Sequence, residues 1–185
     1  MLSAELDRFR EHLATLNRPV VGWLLPGVDA GHVSSALGFP VPQSVAQWFG
    51  WCNGVAEFPG QLQDDVNVVP GYNPVSVEEA VRMMPDYAGD PVLGNHWVPL
   101  LRSGGGDIYA AAWSVGKEAA VAGVLIGEPT EVEFTGIEQM VSVFNRCFAQ
   151  RAYYVNEQGR LTMDPELYDE VYAQVIEGGD PEANG

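Results

Sequence analysis

The sequence predicts a single α+β domain with a central, mostly antiparallel sheet flanked by helices. Amphipathic helical patterns lie near both ends of the chain, and short apolar segments separated by turn residues fill its middle. The 185 residues suit one domain, and no internal repeat divides them. We expect the domain to span residues 1–179 and residues 180–185 to form a flexible tail.

The helices are predicted from apolar residues at helical spacing and from the residues that begin and end them. Pro42 suits the first turn of the third helix, and Asn53-Gly54 is expected to supply the left-handed stop at its end. Ser76 and Thr135 are expected to cap later helices, with Glu79 and Glu138 completing capping boxes. The predicted helices span residues 3–16, 29–37 and 42–52, the segment between Ser76 and Pro85, residues 136–149, and the segment from Asp164 to residue 177.

Short apolar segments predict the strands. Within the glycine- and proline-rich loop 55–75, the segment Val66 to Val69 is expected to be one strand. Gly104 to Asp107 is predicted to be a turn between strands, because it lacks the glycine spacing of a dinucleotide-binding loop before a helix. The remaining predicted strands are Trp97–Leu101, Ile108–Trp113, Ala120–Ile126, Glu131–Phe134 and a hairpin around Asn156–Gly159.

The sequence carries no motif for a cofactor, a metal or a nucleophile. Lys117 is the one lysine and is followed by glutamate, and the three histidines are isolated. Cys52 and Cys147 lie in apolar helical patterns, so we expect two buried thiols. We therefore predict no cofactor, no metal site and no catalytic residues. The remaining alternative is a carbohydrate-active enzyme that uses Glu131 and Glu133, which share one face of a strand.

Charge is the most informative part of the composition. Acidic residues number 25 against 9 basic ones, for a net charge of −16. Such a surface repels nucleic acid and anionic lipid and speeds encounter with a basic partner, although solubility alone is an alternative reason for it. We expect the partner to be another protein of basic character, not nucleic acid or a membrane. The N-terminus resembles no signal peptide, and no apolar run approaches about 20 residues, so a cytoplasmic protein is expected.

Two stretches are densest in acid: residues 55–95 and the last predicted helix. Loops carry function more often than scaffolds do, which makes 55–95 the first choice for a contact surface. The acidic stripe on the last helix is the second choice, with an ordinary solvated face as the alternative. The candidate partner-binding residues are Glu57, Asp64, Asp65, Asp86, Asp90, Asp107, Glu166 and Glu170.

The order of motifs resembles the SUKH superfamily, or Smi/Knr-like domain. Leu37 to Pro42 leads into a short helix that ends at Trp51-Cys52-Asn53-Gly54. A tryptophan-x-proline strand (Trp97-Val98-Pro99) and a glycine-rich turn with an aromatic strand (Gly105 to Tyr109) follow. The resemblance covers about residues 37–150. Its motif positions here are Pro42, Asn53, Gly54, Trp97, Pro99 and Gly106.

The resemblance implies an α+β domain without known catalytic residues. Many bacterial relatives are immunity proteins that bind and block a toxin, often a nuclease, and fungal relatives regulate cell-wall synthesis and signalling. We therefore expect an immunity protein that neutralises a toxin. The alternative is a regulatory or scaffold module without a toxin partner. Residues 153–177 lie beyond the part of the chain that the resemblance covers.

Overall fold

The computed structural model describes residues 1–178 and shows a single α+β domain. The predicted tail at 180–185 lies outside the described residues. The helices are Leu2–Thr15 (α1), Ala30–Leu37 (α2), Gln43–Trp51 (α3), Gln63–Val66 (α4), Val77–Met83 (α5), Ile137–Ala149 (α6) and Pro165–Glu177 (α7), with 3-10 turns at Pro19–Gly22 and Met84–Tyr87. The strands are Tyr72–Pro74 (β1), Trp97–Ser103 (β2), Ile108–Ala112 (β3), Ala120–Val124 (β4), Glu131–Phe134 (β5), Tyr153–Val155 (β6) and Leu161–Met163 (β7).

The central sheet has five strands in the order β1-β2-β3-β4-β5, and every neighbouring pair is antiparallel. This confirms the predicted meander, and β6 and β7 form the predicted hairpin. The middle of the sheet is built from small residues, for example Ala110 opposite Ala122 and Ala111 opposite Val121. Small side chains suit these positions because layers of other elements cover both faces of the sheet.

One face of the sheet packs on the main core, which α1, α3 and α6 supply. Phe9 of α1 contacts Phe144 and Phe148 of α6 and Trp51 of α3, with ring centroids 5.7–6.1 Å apart. The opposite face carries Trp97, Ile108, Ala110 and Ala122 and is covered by Met83, Met84 and Tyr87 around α5. Burying each large apolar side chain contributes roughly 1.5–3 kcal/mol, so these layers hold the sheet in place. The two predicted thiols are confirmed as buried and free: Cys52 and Cys147.

Side-chain caps begin three of the helices. Asp29, Ser76 and Asp164 accept hydrogen bonds from the backbone N–H groups of His32, Glu79 and Leu167. The Ser76 and Asp164 caps are as predicted. The capping box at Ser76 is incomplete, because the Glu79 carboxylate pairs with Arg102 at 3.0 Å instead of returning to the start of the helix. Within residues 1–178, no helix is both long and apolar enough to cross a bilayer.

The predicted cap at Thr135 is wrong. The N-cap of α6 is Gly136, and the Thr135 hydroxyl donates to Gln139 Oε1 at 3.0 Å. The Glu138 carboxylate lies 2.8 Å from the amino group of Met1. The Glu138 carboxylate therefore forms an ion pair with the amino group of Met1 and does not complete the predicted capping box.

The predicted strand at Val66 to Val69 is also wrong. Val66 ends the short helix α4, and the strand of this loop is Tyr72–Pro74. The N–H of Val68 bonds to the carbonyl of Tyr72, and Gly71 has a φ of 84°. The chain therefore turns back here, and the second arm of the turn reaches β2.

Asn53 and Gly54 have a different role from the predicted helix stop. Helix α3 ends at Trp51, and Cys52 is already extended. Gly54 has a φ of 83°, and a Cβ there would lie 2.7 Å from the backbone nitrogen of Ser76. Asn53 Oδ1 accepts from the N–H of Val77 at 2.8 Å. These two residues therefore join the end of α3 to the start of α5.

The other motif residues also hold strands and turns in place. Pro42 is the N-cap of α3, and Trp97 is buried against the outer layer of the sheet. Pro99 lies at a register shift between β2 and β3. Gly106 has a φ of 100°, and its carbonyl accepts the Tyr87 hydroxyl at 2.5 Å. The predicted turn at 104–107 is confirmed as the β2–β3 connection.

Candidate functional site

Asp64 is held inside the protein by a buried cation. Its Oδ2 lies 2.9 Å from Nη2 of Arg18, whose side chain is only 2% exposed. Its Oδ1 accepts from the N–H of Leu161 at 3.0 Å. Arg18 also donates to the carbonyl of Gly159 at 3.3 Å. The carboxylate of this predicted contact residue therefore fastens helix α4 to the β6–β7 hairpin.

Two more of the predicted contact residues bond within the chain. Asp90 accepts from the N–H groups of Val92 and Leu93 and from the Thr130 hydroxyl. Partial burial opposes ionisation, but these three hydrogen bonds together lower the pKa of Asp90. Asp107 accepts from the N–H of Ile126 at 2.9 Å. Both carboxylates therefore brace turns.

The other five predicted contact residues reach solvent. Asp65 is half-buried, and four are exposed: Glu57, Asp86, Glu166 and Glu170. Glu166 and Glu170 lie on the outer face of α7 together with Asp169, opposite the buried Val171. In the described part of the chain, no basic nitrogen lies within ion-pair distance of these three α7 carboxylates. Their charge is therefore available to a partner.

The loop that follows Gly54 forms the wall of an open groove of about 260 Å³. Residues from Val55 to Val66 line it, together with Asn73, Glu79 and Arg102, and we call it the 55–66 groove. Phe58 and Leu62 belong to its lining and are 43% and 65% exposed. The groove therefore combines apolar side chains in contact with water and charged groups, which is the composition of a recognition surface.

The wall of the groove is supported from behind. The Phe58 ring meets Trp23 edge-on, with centroids 4.8 Å apart. The N–H of Ala56 donates to the carbonyl of Trp23 at 2.8 Å, so the segment after α1 holds the loop. The amide of Gln63 donates to the side chains of Asn67 and Asn73, both at 3.0 Å. These contacts prearrange the loop, which lowers the entropy lost on binding.

The charges of the groove are partly neutralised inside it. Arg102 of β2 pairs with Glu79 at 3.0 Å and lies 4.0 Å from Glu57. Glu79 is well covered, whereas the Glu57 side chain is 82% exposed. One carboxylate thus fixes the arginine, and the other faces solvent at the edge of the groove.

The carboxylate pair at Glu131 and Glu133 is asymmetric. Glu131 is exposed, whereas Glu133 is half-buried beside Tyr109. Burial raises the pKa of Glu133, the nearby charge of Glu131 raises it further, and a hydrogen bond from the Tyr109 hydroxyl opposes the rise. The two carboxylates therefore differ in environment although they are two residues apart.

The three histidines lie in separate surroundings. The His12 ring stacks on Phe148, and burial is the main cause that lowers the pKa of His12. His32 lies 2.7 Å from Glu78, and His96 packs edge-on against Phe39. Within residues 1–178, no cluster of three or more histidine, cysteine or acidic side chains has the geometry of a metal site.

Sequence reasoning found the acidic loop but missed the features that shape the groove. Phe58 and Leu62 are apolar residues in a loop rich in glycine, proline and acid, and that mismatch is a usable indication of a contact surface. Arg102 belongs to a strand far along the chain, so its place in the groove is visible only in the folded protein. Comparison with known protein families and with curated proteins finds no match to this chain.

Proposed function

We propose that this protein is a non-catalytic binding protein that recognises a basic protein through the 55–66 groove. The observation that carries the proposal is the exposure of Phe58 and Leu62 on a loop that is held in shape from behind. Apolar anchors surrounded by polar groups supply most of the binding energy at protein interfaces. An open groove of about 260 Å³ suits the side chains of a partner better than a whole small-molecule substrate.

Charge supports a basic partner. The net charge of −16 is large for 185 residues, and Glu57 at the groove and the acidic face of α7 are exposed. A field of this sign accelerates association with a basic protein and opposes binding of nucleic acid and anionic lipid. The predicted on-rate therefore falls as salt screens the field, with a screening length of about 10 Å at 0.1 M ionic strength.

The class of partner follows from the resemblance to SUKH proteins, which stays a prediction. On that basis the partner is a toxin domain, such as a basic nuclease, which the protein binds and neutralises in the cytoplasm. A basic nuclease must itself attract a polyanion, so an acidic inhibitor complements its active site. A regulatory or scaffold module would use the same groove but would have a partner without toxic activity.

The test is capture followed by quantitative binding. The protein is immobilised, partners are captured from a lysate of the native host, and the product of each neighbouring gene is purified and tested directly. We expect a basic protein whose toxic activity is lost at a one-to-one ratio. The double substitution Phe58→Ala/Leu62→Ala should weaken binding at least about tenfold, because two exposed anchors are truncated.

A matched control removes apolar surface elsewhere. Val115 and Ile126 are 81% and 68% exposed, and the double substitution Val115→Ala/Ile126→Ala should leave the affinity within about twofold. Equal affinity of the groove variant and the wild type would exclude the groove as the contact surface. An on-rate that is unchanged near 1 M salt would exclude electrostatic attraction.

A further inference from the structure

A half-buried carboxylate lies among four tyrosines on the main-core face of the sheet. The carboxylate belongs to Glu133 of β5, and the tyrosines are Tyr72 of β1, Tyr109 of β3, and Tyr168 and Tyr172 of α7. Burial raises the pKa of all four phenols, and the negative charge of Glu133 raises it further. The Tyr72 and Tyr109 rings lie 5.0 Å apart, and the Tyr168 and Tyr172 rings stack at 6.0 Å. We call these five residues the Glu133 cluster.

The fold makes room for this carboxylate at a specific place. Gly123 of β4 lies beside Tyr109 of β3 in the sheet. A Cβ on Gly123 would lie 2.0 Å from Oε1 of Glu133, so only glycine leaves the space that the carboxylate occupies. The pairing of β4 with β5 shifts register between Val121 and Ala122, which leaves Glu133 as the additional residue of β5. The carboxylate therefore lies across β4 toward Tyr109.

The remaining contacts hold the cluster together. The Tyr172 hydroxyl donates to the Glu133 carbonyl at 2.7 Å. Helix α7 is thereby tied to β5. All five side chains are half-buried, so the cluster is still open to solvent.

The Glu133 cluster carries negative charge without a cation. In the described part of the chain, no basic nitrogen lies within 4.0 Å of the Glu133 carboxylate. The other charges that act on Glu133 and its tyrosines belong to the acids Glu131, Asp107 and Asp169. A partly desolvated carboxylate without a counter-ion is costly, and burial correspondingly raises the pKa of Glu133.

We propose that the Glu133 cluster is a binding site for an organic cation, either a guanidinium or an ammonium group. The carboxylate supplies an ion pair, and the tyrosine rings supply cation–π attraction, which is strongest where water is partly excluded. A hard metal ion would need six or more oxygen ligands, which one carboxylate among aromatic rings does not provide. The cation is carried by an arginine or lysine side chain of another protein or by a free small molecule.

Binding of small cations followed by NMR tests the site in the whole protein, and this test does not depend on the proposed function. The ligands are N-acetyl-arginine-amide, tetramethylammonium and N-acetyl-citrulline-amide, the last a neutral match for arginine. We expect saturable shifts of the tyrosine ring signals and of the Glu133 carboxyl signal with either cation, at ligand concentrations on the order of millimolar, and none with citrulline.

Two variants decide whether Glu133 is responsible. Glu133→Gln keeps the shape of the side chain and should weaken cation binding at least about tenfold, because the ion pair is lost. Glu131→Gln removes an exposed charge of the same strand and should weaken binding less than about twofold. A single cooperative thermal unfolding transition of Glu133→Gln without ligand, at or slightly above the wild-type melting temperature, shows that the variant is folded.

Comparing the affinity of a short arginine-containing peptide with that of N-acetyl-arginine-amide shows whether the cation belongs to a protein or to a free molecule. If the ligand is a protein side chain, a short peptide with one central arginine binds tighter than the arginine amide. If it is a free molecule, the two bind equally and tetramethylammonium competes with both. The proposal is overturned if no cation gives saturable shifts up to about 50 mM, if citrulline binds as well as arginine, or if the two glutamine variants lose affinity equally.

Discussion

The acidic segment at 55–95 and the acidic face of α7 carry the same sign of charge in different surroundings. In the first, Asp64 pairs with Arg18, Glu79 pairs with Arg102, and Asp90 accepts three hydrogen bonds. On α7, Glu166 and Glu170 extend into solvent. Asp64, Glu79 and Asp90 form a first set of acids that stabilises the fold, whereas Glu166 and Glu170 form a second set that adds to the field around the protein.

The difference shows that a dense run of acids in a sequence does not by itself mark a contact surface. The cations that neutralise the first set come from distant parts of the chain, since Arg18 is 46 residues from Asp64. In residues 1–178, no cation lies within ion-pair distance of the exposed α7 carboxylates. The two regions differ in the packing around each carboxylate. Substitutions of Asp by Asn and of Glu by Gln remove the charge and keep the shape, so they measure how much each charge contributes to stability.

The largest expected effect is at Asp64. Asp64→Asn should lower the free energy of unfolding by about 3 kcal/mol, because it leaves the guanidinium of Arg18 buried without a counter-charge. Glu166→Gln is the matched change on α7 and should shift it by no more than about 0.5 kcal/mol. Urea denaturation measures both. Equal effects would contradict the division of the acids into two sets.

The next effect is at Asp90 and depends on pH. Asp90→Asn should cost about 1–2 kcal/mol at neutral pH, because three hydrogen bonds to a charged acceptor are weakened. Since the pKa of Asp90 is lowered in the folded state, its contribution is present above the unfolded value of about 3.9 and is lost as pH falls through the folded value. Thermal unfolding between about pH 3 and 7 measures this. A pH-independent difference would show that the charge is irrelevant.

Glu133 represents a third situation, a half-buried carboxylate that has no cation within ion-pair distance among the described residues. The pKa of Glu133 is raised in the folded state, so the charged form is destabilising at neutral pH. Glu133→Gln should therefore stabilise the protein by about a few tenths of a kcal/mol at pH 7, and the difference should vanish as pH falls below the unfolded value of about 4.3. Parallel unfolding curves of the two proteins at pH 7 and pH 4 measure it. Destabilisation at pH 7 would mean that the carboxylate has an internal counter-charge.

The smallest effect on stability is expected for α7. Glu166→Gln/Glu170→Gln should shift the melting temperature by less than about 2 °C, with a small loss from Glu166 in the first turn of the helix. The same variant should slow association with a basic partner at low salt, because the field is weakened. Calorimetry and stopped-flow mixing measure the two quantities. A large change in melting temperature would move these acids into the first set.

The sequence predicted much of the local structure, apart from the cap at Thr135 and the strand at Val66 to Val69, and it did not predict long-range pairing. Helix spacing and the caps at Ser76 and Asp164 were predicted, because they depend on residues within one turn. The prediction of the strand in this loop is wrong because Val68 and Val69 are apolar for a different reason, which is their burial in the main core. The pairing of Asp64 with Arg18 is not predictable from local sequence, because the two residues are 46 positions apart. The residues of the Glu133 cluster come from β1, β3, β5 and α7, so no local sequence pattern predicts that they lie close together.

The contact of Asn53 and Gly54 with Ser76 and Val77 affects which sequence changes the loop between them can tolerate. It fixes the two ends of the segment 55–75 to each other. Gly60, with open space around it, lies at the outer part of that loop. Doubling the length of a loop closed in this way costs only about 0.6 kcal/mol. The segment from Phe58 to Leu62 can therefore change in length and composition while the helices on either side keep their positions. This part of the surface can thus be altered without altering the rest of the fold.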